Sequence, residues 1–181
     1  MSKWTIDKEF NFEMGHRVWA QKLPHQHLSI TSDCACKHLH GHSYTIKVFL
    51  TADHLDDSAM VTDFKNLNFM KRFVDDVLDH KFMIDVNDPL FYSITGITRS
   101  EDIECLPNFT NLGDWLRISK TNVDDHLKDL IDSFVLVDFI PTSENICRHL
   151  KDYAQSQIGD IATVSALELW ETKKSHARYE D

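Results

Sequence analysis

Three observations along the 181-residue chain predict an α+β fold. Phe10, Phe12 and Met14 alternate with Glu9, Asn11 and Glu13, the period of a strand with one buried face. Tyr44, Ile46, Val48 and Leu50 repeat that alternation against Ser43, Thr45 and Lys47. Two other stretches, 63–79 and the residues following Pro141, carry apolar side chains at helical spacing instead. Strand-period and helix-period segments in separate parts of one chain are the pattern of an α+β architecture.

The composition fits that reading. Hydrophobic residues make up 42% of the chain and charged residues 27%, the proportions of an ordinary globular protein, and the length suits one domain spanning 1–181. A net charge of −10 removes the electrostatic footprint of a nucleic-acid binder, so no nucleic-acid partner is expected. It does not exclude an anionic small substrate, because a local group of basic side chains can still hold phosphates. No apolar run approaches the roughly 20 residues of a membrane span, and MSKWTIDKEF has neither the basic nor the apolar part of a signal peptide, so a cytoplasmic protein without a membrane partner is expected. The four cysteines, Cys34, Cys36, Cys105 and Cys147, are irregularly placed, which points to reduced thiols rather than a disulfide framework.

Taken in order, the first strand covers 4–14, and His16 continues its apolar parity. Residues 17–38, rich in histidine and polar side chains, read as a loop that stays mobile until something binds. A second strand starts at His40, and since residues two apart project to the same face, His40 and His42 aim both imidazoles at one region ahead of the apolar face of 44–50. Adjacent antiparallel pairing of these strands brings His16 to the same place. In 63–79, Phe64, Leu67, Met70, Val74 and Val77 form the buried stripe of a helix with Asp63 as N-cap. The segment at about 86–136 mixes Pro, Gly and acidic residues with short apolar runs and reads as an insert, with a helix near 122–133 and a strand at 134–139. After Pro141 a second helix begins, capped by Thr142 or Ser143, with Ile146, Leu150 and Tyr153 on its buried side. A last strand at 164–172 places Leu167, Leu169 and Glu171 on one face, so a carboxylate follows two leucines inward and needs a partner there.

Three histidines without a fourth protein ligand suit zinc, and an open fourth position is the mark of a catalytic site. Most of the 11 histidines, including His25, His27, His54 and His149, read as solvated or hydrogen-bonded side chains; the shared parity at strand ends separates His16, His40 and His42 from them. A rival reading takes Cys34, Cys36 and His38 as ligands of a structural site, but no second ligand pair at a defined distance completes it. Cys36 beside the histidine group reads either as a reactive thiol or as an inert one. Asp79 next to His80 has the order of a carboxylate orienting an imidazole, although a helix C-terminus also attracts histidine. Glu171 can accept two parallel N–H bonds from an amidine-like edge such as that of a guanine or a pterin, or it can pair with Lys or Arg. Glu144, in the first turn of its helix, reads as a dipole residue or a substrate contact.

These residues resemble the 6-pyruvoyltetrahydropterin synthase and 6-carboxytetrahydropterin synthase family over most of the chain. The motifs are FEMGHR at 12–17, CKHLHGHSY at 36–44, VTDFKNLN at 61–68, LDHKFMID at 78–85, PTSEN at 141–145 and LWET at 169–172. The resemblance implies a T-fold, or tunnelling fold: an antiparallel four-stranded sheet with two helices on one face, here with an inserted region. It also implies a homo-oligomer, trimer or hexamer, with active sites at subunit interfaces. By the same resemblance His16, His40 and His42 match the zinc ligands, and Cys36, Asp79 and His80 match the catalytic thiol with its carboxylate and imidazole. Glu171 matches the pterin anchor, and Thr142, Ser143 and Glu144 match the segment completing the pterin pocket. The implied substrate is 7,8-dihydroneopterin triphosphate. The C-x3-HGH spacing from Cys36 to His42 is similar to that of the carboxy-forming enzymes, implying 6-carboxy-5,6,7,8-tetrahydropterin synthesis with release of triphosphate and acetaldehyde, in queuosine (7-deazaguanine) biosynthesis. Cys34 satisfies the longer C-x5-HGH spacing of animal pyruvoyl-forming enzymes, which keeps that synthase as the alternative and Cys34 as the alternative thiol. A non-catalytic pterin- or zinc-binding module is the third reading, against which the intact Cys36, Asp79 and His80 stand.

Overall fold

The computed structural model describes residues 3–22, 34–97, 103–105, 115–118 and 125–180. Its strands are β1 (Trp4–His16), β2 (His40–Ala52), β3 (Lys81–Asp85), β4 (Ile103–Cys105), β5 (Trp115–Ile118), β6 (Phe134–Val137), β7 (Thr163–Thr172) and β8 (Ser175–Glu180). The helices are α1 (Asn68–Phe73), α2 (Phe91–Thr95), α3 (Asp125–Asp132) and α4 (Ser143–Ile158). The chain forms two compact units, one of residues 1–13, 42–79 and 143–181, the other of 14–41 and 80–142. β1 and β2 each run through both.

In the first unit the sheet order is β1-β2-β7-β8, with β7 antiparallel to both its neighbours. The alternation expected from sequence is realised: Phe10 and Phe12 on β1 and Tyr44, Ile46, Val48 and Leu50 on β2 are buried, and the intervening side chains are not. Phe12 and Tyr44 stack with ring centroids 5.1 Å apart, which ties the two buried faces together. α4 packs against β7 and β8 and buries Ile146, Leu150 and Tyr153, and Phe73 at the end of α1 meets Tyr153 with centroids 4.4 Å apart.

The helix expected over 63–79 forms, with a change in its winding. Asp63 caps it, accepting from the Lys65 N–H at 2.7 Å. A 3-10 turn (64–67) leads into α1, and a π turn (74–78) follows, closed by the Asp79 N–H donating to the Val74 carbonyl at 2.8 Å. The wider π turn carries Leu78, not Val77, onto the buried face, and Phe64 in the opening 3-10 turn stays 48% exposed.

In the second unit the order is β4-β5-β6-β3, followed by residues 14–16 of β1. The sheet departs here from the expected four antiparallel strands. β3 runs parallel to β1 and to β6, and β4 and β5 add an antiparallel pair within the segment read as an insert. The expected helix near 122–133 is α3, and the expected strand at 134–139 is β6. Consecutive residues of β3 and β6 are buried, as befits parallel strands covered on both faces, and neither shows an alternating pattern. Ile84, Val86, Phe91, Ile97, Ile131 and Leu136 form the unit's core. β8 escapes sequence reading for the opposite reason: SHARYE is nearly all exposed and has no apolar face. The loop expected over 17–38 falls in part, at 23–33, outside the described residues.

Candidate active site

The histidines sit where the end of β1 and the start of β2 meet backbone to backbone. Gly15 precedes His16, and Gly41 separates His40 from His42. A Cβ on Gly41 would lie 3.0 Å from the Met14 carbonyl oxygen and 3.4 Å from the Gly15 Cα, so only hydrogen at these positions lets the strands approach so closely. A Cβ on Gly15 would fall 2.4 Å from the Phe82 ring and 3.2 Å from the His40 carbonyl. The glycines thus set the approach of the histidine-bearing backbones.

His16 is buried, and its Nδ1 lies 2.8 Å from the Pro141 carbonyl oxygen. The His40 Nδ1 lies 2.8 Å from the His38 carbonyl oxygen. A carbonyl only accepts, so each Nδ1 carries the hydrogen, and in the neutral ring each Nε2 carries the lone pair. That is the tautomer a metal requires, fixed by the contact that commonly orients ligating histidines. The two ring centroids are 4.5 Å apart. His42, two residues further along the same unbroken strand, is half-buried and sets its ring edge-on to Tyr44 at 5.6 Å. One ring nitrogen from each of His16, His40 and His42 lies within 4.8 Å of the others, so the three can hold a metal ion. The donor set fits a divalent ion such as zinc: three neutral imidazoles, two with their far nitrogens already engaged.

The other expected residues occupy defined local positions. Cys36 lies in a 3-10 turn (35–37), half-buried, with its carbonyl accepting from the Val18 N–H at 2.9 Å. Cys34, also half-buried, is the residue before that turn. Asp79 ends the π turn, and its carboxylate accepts from the Glu13 N–H at 2.8 Å. His80 follows at φ 58°, the left-handed region that a side chain other than glycine rarely adopts and that recurs at functional sites. Glu171, half-buried, falls where the β7/β8 register shifts between Trp170 and Thr172; a bulge of this kind re-aims a side chain relative to the regular ladder. Ser143 opens α4 with Glu144 exposed in its first turn, and the Thr142 N–H donates to the Ile140 carbonyl at 2.8 Å. Cys147 is a different kind of thiol. It is buried, its Sγ donates to the Leu167 carbonyl at 3.0 Å, and burial pushes its pKa up to about 11, so it stays protonated at neutral pH.

Sequence reasoning did not single out the polar contacts behind the turn. The Arg17 guanidinium pairs with the buried Asp88, and the Trp19 indole N–H donates to the buried Asp85 at 2.8 Å. Arg17 and Asp85 stand inside the motifs FEMGHR and LDHKFMID with no role of their own in the sequence, and Asp88 lies in the segment from 86 onward, which has no periodicity.

Fold and histidine cluster together define the class, a T-fold protein with a three-histidine site able to hold a metal. The model of the family described as 6-pyruvoyl tetrahydropterin synthase matches residues 5–181, and the chain belongs to that family. The function that membership carries is tetrahydropterin synthesis by an enzyme of the lyase type. The chain is 30% identical to the 6-carboxy-5,6,7,8-tetrahydropterin synthase of Aquifex aeolicus over 190 aligned residues that cover 99% of each protein. An uncharacterized protein from Wolinella succinogenes has a crystal structure matching at a TM-score of 0.90, with 36% identity over 100% of this chain and 99% of that one. The Caenorhabditis elegans 6-pyruvoyl tetrahydropterin synthase matches at 0.56 with 19% identity, over 100% of this chain and 97% of its own, a likeness of fold alone. Among the described residues no helix is long and apolar enough to cross a membrane.

Proposed function

We propose that the protein is a zinc-dependent 6-carboxy-5,6,7,8-tetrahydropterin synthase, converting 7,8-dihydroneopterin triphosphate with release of triphosphate and acetaldehyde. The observation that carries this reading is the convergence of His16, His40 and His42 with ring nitrogens within 4.8 Å. The full-length likeness to the Aquifex enzyme supports the carboxy-forming product over its relatives. His16, His40 and His42 would hold the zinc, which when bound polarises the oxygens of the substrate side chain and acidifies the neighbouring C–H.

The chain's own groups do the remaining work in this reading. Glu171 accepts two parallel N–H bonds from the pterin edge and fixes its orientation, and Thr142, Ser143 and Glu144 close the pocket around it. The Cys36 Sγ removes a proton from the side-chain carbon, and His80, oriented by Asp79, returns one as the triphosphate leaves. Water then cleaves the resulting 1,2-dicarbonyl side chain, which yields one acid and one aldehyde: the 6-carboxylate and acetaldehyde. The chain works as a single domain whose segment at about 86–136 is an insert, in a cytoplasmic homo-oligomer, trimer or hexamer, with sites at subunit interfaces. Its pathway is queuosine biosynthesis.

The second reading, a 6-pyruvoyl product without the final cleavage, is favoured by one feature, the C-x5-HGH spacing from Cys34. The deciding experiment incubates pure protein with 7,8-dihydroneopterin triphosphate and measures triphosphate and acetaldehyde together. Equal amounts of both are expected. Triphosphate alone means the pyruvoyl-type product; neither product leaves only a pterin- or metal-binding module.

A further inference from the structure

We propose that Asp88 and Arg17 are positioning residues for the Cys36 thiol, an inference that rests on the assignment of Cys36 as the catalytic thiol. The turn carrying Cys36 is fastened through two successive carbonyls. The Cys36 carbonyl accepts from the Val18 N–H at 2.9 Å, and the Lys37 carbonyl accepts from the Arg17 Nε–H at 2.7 Å. The same guanidinium donates through Nη1 to the Asp88 Oδ2. Its side chain is only 13% exposed and that of Asp88 is fully buried, so this ion pair is held largely away from water.

Asp88 is itself anchored. Its Oδ1 accepts from the Leu90 N–H at 2.8 Å, its own N–H donates to the Asp85 carbonyl at 3.0 Å, and its carbonyl accepts from the Phe91 N–H at 2.9 Å. The buried carboxylate therefore cannot follow Arg17 if the turn drifts. Next to it, Asp85 accepts from the Trp19 indole and from both nitrogens of Asn87, which holds the segment after His16 a second time. Arginine suits this place because one planar fork serves two acceptors in fixed directions, a carboxylate on one side and a peptide carbonyl on the other. A link that only stabilised the core would end on another core element. This one ends on the carbonyl of Lys37, the residue after the thiol.

Asp88→Asn tests the link with almost no change of shape. An asparagine has one acceptor oxygen, so it can serve either the Leu90 N–H or Arg17, and the other donor faces an amide NH2. Two readings are taken on the zinc-loaded enzyme: steady-state kinetics with 7,8-dihydroneopterin triphosphate, and the iodoacetamide alkylation rate of Cys36 followed by peptide-resolved mass spectrometry. The expected result is a kcat lower by roughly tenfold with KM and zinc content unchanged, and a Cys36 alkylation rate altered about threefold or more while Cys147 is unaffected. Arg17→Lys, which keeps the charge but not the fork, should reproduce the pattern, and it decides the matter if Asp88→Asn loses zinc or fails to fold. An unchanged alkylation rate, or an unchanged kcat in an active enzyme, overturns the proposal. If the wild-type protein releases no triphosphate, the proposed function fails by itself, and the alkylation rates still decide whether Asp88 and Arg17 fix the turn.

Discussion

The two compact units hold their shape by different means. The first relies on one-sided strands: β2 and β7 pair antiparallel, bury alternate side chains, and take α4 as cover on the β7 side. The second has parallel strands buried on consecutive residues, together with carboxylates that are themselves buried, Asp85 and Asp88. Hydrogen bonds to backbone carbonyls in that unit orient His16, His40 and Arg17, through Pro141, His38 and Lys37. Apolar burial fixes where a strand lies, whereas the rotation of an imidazole is fixed by a directed contact. Damage to the first unit's core should therefore reach stability before chemistry, and damage to the second unit's polar contacts should do the reverse.

The largest expected effect comes from the histidines. His40→Ala should lower kcat/KM for 7,8-dihydroneopterin triphosphate by roughly a thousandfold or more, as loss of a bound Lewis acid would require, with the urea midpoint of the metal-free protein nearly unchanged. An activity within a few-fold of wild type would break the link between the cluster and the chemistry. Cys36→Ala should follow, with kcat down by roughly 10²–10⁴-fold, the range for a lost proton-transfer group, and an unchanged melting curve.

The first unit supplies the opposite case. Leu150→Ala, on the buried side of α4, should cost about 2–5 kcal/mol of unfolding free energy by denaturant titration while the kcat of the folded protein stays near wild type. A loss of turnover out of proportion to the stability change would blur the division between the units. The smallest effect concerns pH. Cys147 keeps its proton in the folded protein up to about 11, against an ordinary 9.0, because it is buried. Between those values the unfolded chain has released the proton and the folded one has not, so the stabilisation present below pH 9 is lost as pH rises to about 11. The loss amounts to something on the order of 2–3 kcal/mol, and Cys147→Val should flatten that part of the alkaline melting profile.

The same contrast accounts for how much the sequence disclosed. β1, β2 and β7 were legible because burial on one face writes a period of two into the chain, and α4 because Ile146, Leu150 and Tyr153 keep helical spacing. His16, His40 and His42 shared that parity, so their grouping was legible as well. β3 was not, since KFMID is buried on successive residues, nor β8, whose residues are almost all exposed. Regular α-helical spacing puts Val77 on the buried stripe; the π turn puts Leu78 there instead. The Asp88–Arg17 pair joins residues 71 apart in the chain, and no local spacing announces a contact of that kind.

Zinc content tests most directly the claim that three histidines form the metal centre and Cys36 stands outside it. Purified wild-type protein and Cys36→Ala should each carry about one zinc per chain, and His40→Ala should carry almost none. Zinc retained in full by His40→Ala, or lost from Cys36→Ala, would contradict it.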